Sequence, residues 1–263
     1  MKKLYFILAI ILLAVTNTIQ AQNDSIYLWK EGQLLAKHSV KAADLDSITF
    51  KRLVVNIPSV TICSQVWATK NLDVTTYSDG TVIPQVTDPT AWESLTTGAW
   101  CYYNNDPANG AVYGKLYNWY AVAGIYDGAS FANPALRKKL APTGWHVPSD
   151  GEWSNLVNCL DPNADGGNTF PNTAGGKMKS TGTSLWLSPN TDATNSSRFT
   201  GLPGGYRFNN GTFLNFGNSG YWWSSSETNT SGAWTRGLYY TSGYAFRYFL
   251  NKEFGFSVRC LRD

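Results

Sequence analysis

The C-terminal third of the chain consists of short runs rich in β-forming residues, separated by turn residues. The runs cover residues 199–208, 212–216, 221–225, 233–240, 245–250 and 256–261. Asn210-Gly211 and Ser242-Gly243 lie between successive runs, and such dipeptides connect antiparallel strands through tight turns. We therefore predict a meander of antiparallel strands in this third of the chain.

An earlier segment repeats its apolar residues with the period of a helix. In residues 113–123, Leu116, Trp119, Tyr120 and Ala123 are spaced so that they fall on one helical face. This spacing predicts the first of two main helices.

The second main helix carries its own start signal. Ser149 and Glu152 form a capping box, in which the serine oxygen accepts one free backbone N–H and the glutamate reaches back to another. Pro162 ends the helix, because proline cannot continue one. Two adjacent glycines oppose a third, short helix over residues 174–179. Helices followed by a strand meander predict an α+β fold with antiparallel β-sheets and two main helices.

Residues 22–57 are predicted to form a small N-terminal β-unit and linker in front of the main domain, residues 58–263. Its three short strands are predicted at residues 25–29, 34–40 and 46–50. So few residues bury little apolar surface, and we expect this unit to dock on the main domain or to pair with something else.

The first 21 residues have the layout of a secretory signal peptide. Lys2 and Lys3 precede the apolar residues 4–15, and Ala21 is the small residue at the predicted cleavage site. Twelve apolar residues are too short for a membrane span, which takes about 20. We expect a secreted or cell-surface protein with no membrane span in the mature chain.

Composition and charge exclude several classes of function. Charged residues make up 15% of the chain and aromatic residues 14%, which excludes a disordered chain. Without residues 1–21 the chain keeps 21 minus 2, or 19, Lys and Arg against 18 Asp and Glu. The only compact basic run is residues 137–139, so we predict no nucleic-acid partner and no anionic membrane surface.

Four cysteines would remain in the exported chain: Cys63, Cys101, Cys159 and Cys260. An even number in an exported protein suggests disulfides, either two bridges or one bridge and two buried thiols. No two of them form a CxxC pair, which excludes a thioredoxin-type redox motif and a zinc ribbon.

Enzymatic chemistry finds little support. The mature chain has two histidines, His38 and His146, and His146 is expected to be a half-buried strand residue. Motifs for zinc hydrolysis, nucleophilic serine and nucleotide binding are missing. The notable carboxylates are scattered along the chain, at Glu93, Asp106, Asp150, Glu152 and Glu227.

One segment resembles the start of a calcium-binding loop. Asp161, Asn163 and Asp165 place oxygen-bearing side chains at alternating positions before a glycine. Position 12 of such a loop is Asn172 instead of a bidentate glutamate. A full set of calcium ligands is therefore missing, the alternative is an ordinary Asp/Asn/Gly turn, and we predict no cofactor.

Aromatic side chains are the strongest candidates for binding, because their faces stack on the C–H faces of sugars. The aromatic residues considered for binding are Trp100, Tyr102, Tyr103, Tyr221, Trp222, Trp223, Tyr239, Tyr240, Tyr244 and Tyr248. From these we select five as ligand-binding candidates: Trp100, Tyr102, Tyr103, Trp222 and Trp223. Neighbours in a strand face opposite sides, so one of Trp222 and Trp223 is predicted to point outward.

Several ordered blocks resemble one known family. They lie at residues 65–72, 98–106, 113–122, 142–148, 202–207, 221–225 and 255–260. The chain resembles the Fibrobacter succinogenes major paralogous domain, abbreviated FISUMP, over residues 58–263. That family is known mostly from secreted bacterial proteins and brings no established activity with it.

The order of these blocks is also distantly similar to C-type-lectin-like domains. This similarity implies a C-type-lectin-like core and, by analogy with the helix-to-last-strand bridge of such domains, a Cys159–Cys260 disulfide. Family members usually carry a cysteine where this chain has Ala141, so no pairing is carried over directly.

These observations favour an exported, non-enzymatic binding or adhesion module that recognises a glycan or an envelope protein through exposed aromatic residues. An alternative is a structural or assembly protein of the cell envelope, in which the strands of residues 24–50 pair with a partner. A polysaccharide-acting hydrolase is the weaker alternative.

Overall fold

A computed structural model describes residues 24–30, 33–40 and 57–263 of the chain. The predicted signal peptide and the predicted strand at residues 46–50 lie outside the described residues. The chain divides into two units, Met1–Val54 and Val55–Asp263. In the first unit, β1 (Asp24–Lys30) and β2 (Gln33–Val40) pair as an antiparallel hairpin.

The second unit mixes short helices with antiparallel sheets, which confirms the α+β fold class. Its strands are β3 (Ser59–Ile62), β4 (Gln65–Ala68), β5 (Trp100–Cys101), β6 (Leu116–Tyr117), β7 (Trp145–His146), β8 (Tyr206–Arg207), β9 (Phe213–Leu214), β10 (Ser219–Glu227), β11 (Gly232–Tyr239), β12 (Phe246–Asn251) and β13 (Leu261–Arg262). Its helices are α1 (Pro89–Glu93), α2 (Pro107–Tyr113), α3 (Trp119–Val122), α4 (Gly128–Ala132), α5 (Asp150–Leu160) and α6 (Ala174–Met178).

The predicted C-terminal meander forms the antiparallel sheet β10-β11-β12. A second sheet has the order β3-β4-β13-β7, so the last strand lies between β4 and β7. Two smaller sheets are the pairs β5-β6 and β8-β9. Of the run predicted at residues 199–208, only Tyr206–Arg207 is a strand.

The predicted helix over residues 113–123 is wrong. Helix α2 ends at Tyr113, and Gly114 follows with a φ of +75°, a conformation that favours glycine. The chain then enters β6, and Asn118 caps the separate helix α3 by accepting from the backbone N–H of Ala121. The apolar spacing was real, but it spans two different elements.

Helix α5 begins as predicted, with Ser149 and Glu152 in a reciprocal capping box. The short helix α6 also forms, although Gly175 and Gly176 lower its helix propensity. Close packing explains them, because an added Cβ would lie 2.1 Å from the carbonyl oxygen of Tyr244 at Gly175 and 2.3 Å from that of Asp192 at Gly176.

Strand β10 is covered on both faces. Trp222 packs in one hydrophobic cluster with Trp67 and Trp153, and Trp223 packs in another with Phe256. Both indoles are fully buried. The prediction that one of the two tryptophans points to solvent is therefore wrong, because a second layer packs on each side of the strand.

The structure contains one disulfide among the described residues, Cys63–Cys159, which joins the turn between β3 and β4 to helix α5. The expected Cys159–Cys260 pair is wrong. Cys159 lies on the exposed side of α5, whereas Cys260 is buried in the core. Burial raises the pKa of the Cys260 thiol to about 12 and that of the Cys101 thiol to about 12, so both stay protonated at neutral pH.

Candidate functional site

The predicted binding residues Trp100 and Tyr102 surround a lysine of the chain itself. The ammonium of Lys115 lies 4.6 Å from the ring centroid of Trp100 and 4.9 Å from that of Tyr102. Lys115 also forms an ion pair with Asp73. These two rings therefore already hold a cation of the fold.

The other predicted residues are also internal. Tyr103 is buried and stacks on Phe216 with ring centroids 4.6 Å apart. The indole N–H of Trp222 donates to Asn71, and that of Trp223 donates to the carbonyl of Tyr117. Of the five selected aromatic residues, Tyr102 alone is partly exposed, and the structure does not bring the five together.

A different set of aromatic rings lies at the surface. These rings are partly or largely exposed, and we call them the aromatic band: Phe170, Tyr206, Phe208, Tyr239, Tyr244, Phe246 and Tyr248. The band continues from ring to ring, in part through the buried rings of Tyr221 and Phe254.

At one end of the band, the ring of Phe246 contacts three other rings. Its ring centroid lies 4.9 Å from that of Phe170, 5.0 Å from that of Tyr239 and 5.7 Å from that of Tyr248. The rings of Phe246 and Tyr248 are nearly parallel, at 5°. Both lie on the same face of strand β12, because side chains two apart in a strand point the same way.

Tyrosine hydroxyls join the band to the core. Tyr221 and Tyr239 share a hydroxyl hydrogen bond. Burial raises the pKa of Tyr221 to about 12 and raises the pKa of both Tyr239 and Tyr248 above the usual tyrosine value. These hydroxyls therefore stay neutral at physiological pH.

A cleft of about 400 Å³ opens at the Phe170 end of the band, and we call it the Asp192 cleft. Its lining consists of aromatic rings, hydroxyl groups and one carboxylate: Phe170, Thr191, Asp192, Thr241, Ser242, Gly243, Tyr244 and Phe246. Apolar walls with a few convergent polar groups are typical of small-molecule sites.

The buried Lys179 holds together the loops that line this cleft. Its ammonium donates to the carbonyl oxygens of Thr191, Tyr239 and Ser242 at 2.8, 2.9 and 2.8 Å. Burial lowers the pKa of Lys179 to about 8. Because all three of its hydrogens are committed to carbonyls, Lys179 fixes the loops and has no donor left for a ligand.

A second cleft, of about 330 Å³, contains His146. Its imidazole lies between two carboxylates, with Nδ1 2.7 Å from Asp263 and Nε2 3.0 Å from Glu152. Burial lowers the pKa of His146, but the two hydrogen bonds outweigh burial and raise it overall. Both ring nitrogens are engaged, so neither is free to act as a general base. The histidine is half-buried in β7, as predicted.

The segment that resembles a calcium loop uses its oxygens internally. Asp161 accepts the backbone N–H groups of Asn163 and Thr173. Asn172 is buried and bonds to the backbone of Ala245. Within the described residues, no three His, Cys, Asp or Glu side chains come together as a metal site.

Most of the scattered carboxylates have structural partners. Asp106 caps helix α2, Asp150 pairs with two arginines, Glu152 caps helix α5, and Glu227 pairs with Lys252.

The aromatic residues considered from the sequence include three tyrosines of the aromatic band. The sequence reasoning missed the other four members, Phe170, Tyr206, Phe208 and Phe246. Only their positions in the sequence could have indicated them: Phe170 lies in a polar loop, and Phe246 lies three residues after Gly243 of a Ser-Gly turn.

No helix in the described part of the chain is long and apolar enough to cross a bilayer. The family model described as Fibrobacter succinogenes major domain matches residues 60–262. No curated protein and no solved structure matches the chain.

Proposed function

The chain belongs to the Fibrobacter succinogenes major domain family, and we propose that this member is an exported, non-enzymatic module that binds a glycan on its aromatic band. One observation carries the proposal: a row of partly exposed rings, linked in part through the buried rings of Tyr221 and Phe254, ends in a cleft that offers hydroxyl groups and a carboxylate. A pyranose presents C–H faces to such rings and hydroxyls to such polar groups.

The electrostatics of the domain support binding over catalysis. General acid–base catalysis needs a group free to exchange a proton with the substrate. Both nitrogens of His146 are engaged, and Asp192 is the only carboxylate of its cleft. A glycosidase of the usual kind would need two facing carboxylates.

Export is supported by the predicted signal peptide and by the Cys63–Cys159 disulfide, since stable disulfides are typical of oxidising compartments. The absence of a spanning helix in the described residues is compatible with this location. We propose the cell surface or the medium as the place where the glycan is met.

A glycan array with residues 22–263 tests the proposal. We expect binding to at least one class of polysaccharide, and loss of that binding in Phe170→Ala and Phe246→Ala. Phe249→Ala is the matched control, because Phe249 is 61% exposed on the same strand β12 but faces the opposite side. Silence across the array, or equal loss in the control, would contradict glycan binding by the band.

An assembly function is favoured by one separate observation. The β1–β2 hairpin is a two-stranded sheet, and an isolated pair of strands is marginally stable in water. Pairing with a strand of a partner would complete such a sheet. Deleting residues 22–57 would then abolish oligomerisation measured by light scattering, whereas glycan binding by the second unit would stay unchanged.

A further inference from the structure

Asp192 differs from nearly all other carboxylates of the second unit. Its side chain is exposed, and it accepts no hydrogen bond and forms no ion pair with any residue that the structure describes. Among the aspartates and glutamates of residues 57–263, only Glu93 shares this property. The others cap helices or turns, bind tyrosine, asparagine or histidine side chains, or pair with lysine or arginine.

The backbone at Asp192 is held in place, and its carboxylate lies beside Gly243. An added Cβ at Gly243 would lie 2.6 Å from its Oδ2, so the glycine leaves the space that the carboxylate occupies. The Asp192 backbone has a φ of +60°, a strained conformation for an L-residue. It is retained because Lys179 binds the preceding carbonyl of Thr191, and Gly176 packs against the carbonyl of Asp192.

Three aromatic rings form the apolar wall of the same cleft. The ring centroids of Phe170, Tyr244 and Phe246 lie 4.9 to 6.0 Å from one another, and the rings are tilted by 33° to 51°. The negative faces of aromatic rings attract a cation placed within about 6 Å. The wall and the unpaired carboxylate therefore favour the same charge.

The charges of Asp192 and Lys179 attract each other, but the attraction is not a direct contact. Burial lowers the pKa of Lys179 to about 8, and the carboxylate acts to raise it. The three N–H groups of Lys179 are directed at carbonyl oxygens, and the two side chains form no ion pair. A carboxylate beside apolar walls repels acidic sugars and attracts a cationic group, since low-dielectric walls concentrate the field of a single charge.

From this geometry we propose that the Asp192 cleft selects an amino sugar, whose ring stacks on Phe170 and Phe246 and whose protonated amine binds the carboxylate of Asp192. The proposal rests on the proposed glycan-binding function and adds the class of sugar. A neutral glycan would use the rings alone, whereas an amino sugar uses both the rings and the charge.

Titration calorimetry with two oligosaccharides of equal length and linkage tests this. One is an oligomer of glucosamine and the other its fully N-acetylated form, both at pH about 6, where carboxylates are ionised. We expect the glucosamine oligomer to bind about tenfold more tightly, which corresponds to about 1.4 kcal/mol. The preference should weaken with added salt, because the contact is partly exposed.

Asp192→Asn removes the charge and keeps the shape. We expect it to abolish the preference while the affinity for the acetylated oligomer stays the same. Glu93→Gln is the matched control, because it removes the other unpaired carboxylate, which lies outside the cleft. Gly243→Ala displaces the Asp192 carboxylate without removing it, and we expect the same loss of preference.

The other outcomes contradict either the choice of sugar or glycan binding itself. Equal affinity of the wild type for the two oligomers, or a preference that survives in Asp192→Asn, would overturn the choice of amino sugar and leave glycan binding by the band intact. Tighter, Asp192-dependent binding of a lysine peptide or of phosphocholine would also overturn it. Silence toward every glycan would refute the proposed function together with this inference.

Discussion

The adjacent tryptophans of strand β10 and the aromatic band contain the same kind of side chain in opposite situations. Trp222 and Trp223 are fully buried, and each indole N–H donates to a group inside the domain. Phe170, at the end of the band, is 46% exposed. The difference teaches that an aromatic ring is available for binding only when one of its faces is exposed to solvent. A conspicuous pair of tryptophans in the sequence does not indicate such exposure.

The charges near the two regions differ in the same way. Next to the buried tryptophans, the fully buried Arg259 donates to Asn71 and to the carbonyl oxygens of Ala68 and Phe199. Beside the band, Asp192 has no partner among the described residues. The charge of Arg259 is satisfied by the fold, whereas the carboxylate of Asp192 is exposed to solvent and is the charge that we propose binds a ligand.

The largest expected effect breaks the buried region. Trp223→Ala should destabilise the domain by about 3–5 kcal/mol, because it leaves a cavity between packed rings. Urea denaturation followed by fluorescence measures this loss. A loss below about 1 kcal/mol would mean that Trp223 is not part of a close-packed core.

The disulfide is expected to have the next largest effect, and it acts on the fold without touching the band. Cys63→Ser with Cys159→Ser opens a loop closed over a sequence separation of 96, and we expect a loss of about 2–4 kcal/mol. Urea midpoints of the double variant and of the wild type with and without reductant give the value. If glycan binding were lost while the variant is still folded, the two regions would not be independent.

Phe170→Ala should sharpen the contrast from the other side. Because the ring is nearly half exposed in a loop, we expect the substitution to change the free energy of unfolding of the domain by about 0.5 kcal/mol or less. We expect the affinity for glycan to fall. The same denaturation series as for Trp223→Ala makes the comparison direct. A stability loss as large as that of Trp223→Ala would show that the band is core.

The smallest expected effect concerns the His146 cleft, which lies outside both aromatic regions. Because the pKa of His146 is raised in the folded state, its contribution to stability is complete below the unfolded pKa of about 6.5. It is then lost as pH rises through the folded value. Urea midpoints between about pH 6 and 9 should fall in the wild type and fall less in His146→Gln. An identical slope in both would contradict this assignment.

Local signals predicted part of the fold correctly. The capping box of Ser149 and Glu152 lies within one helical turn, and the β10-β11-β12 meander follows from alternating runs and Gly-containing turns. Residues 113–123 misled the same reasoning, because Gly114 and Asn118 divide one apolar period between a strand and a helix.

The candidate site was less predictable than the fold. Trp222 and Trp223 stand out in the sequence, yet both faces of their strand are covered by layers that come from distant segments. Phe170 and Phe246 are 76 positions apart and only the packing of the loops brings their rings to 4.9 Å. No spacing rule connects them, because the two residues do not belong to the same helix or strand.

The sequence by itself determined the family, the α+β class, the capped helix α5 and the strand meander, because each depends on motifs or on interactions between residues near in the chain. The tertiary structure alone decided which rings remain exposed, that Cys63 pairs with Cys159, and that Asp192 is left unpaired beside Gly243. Exposure and pairing depend on which distant segment packs against a residue, and only the folded chain brings such segments together.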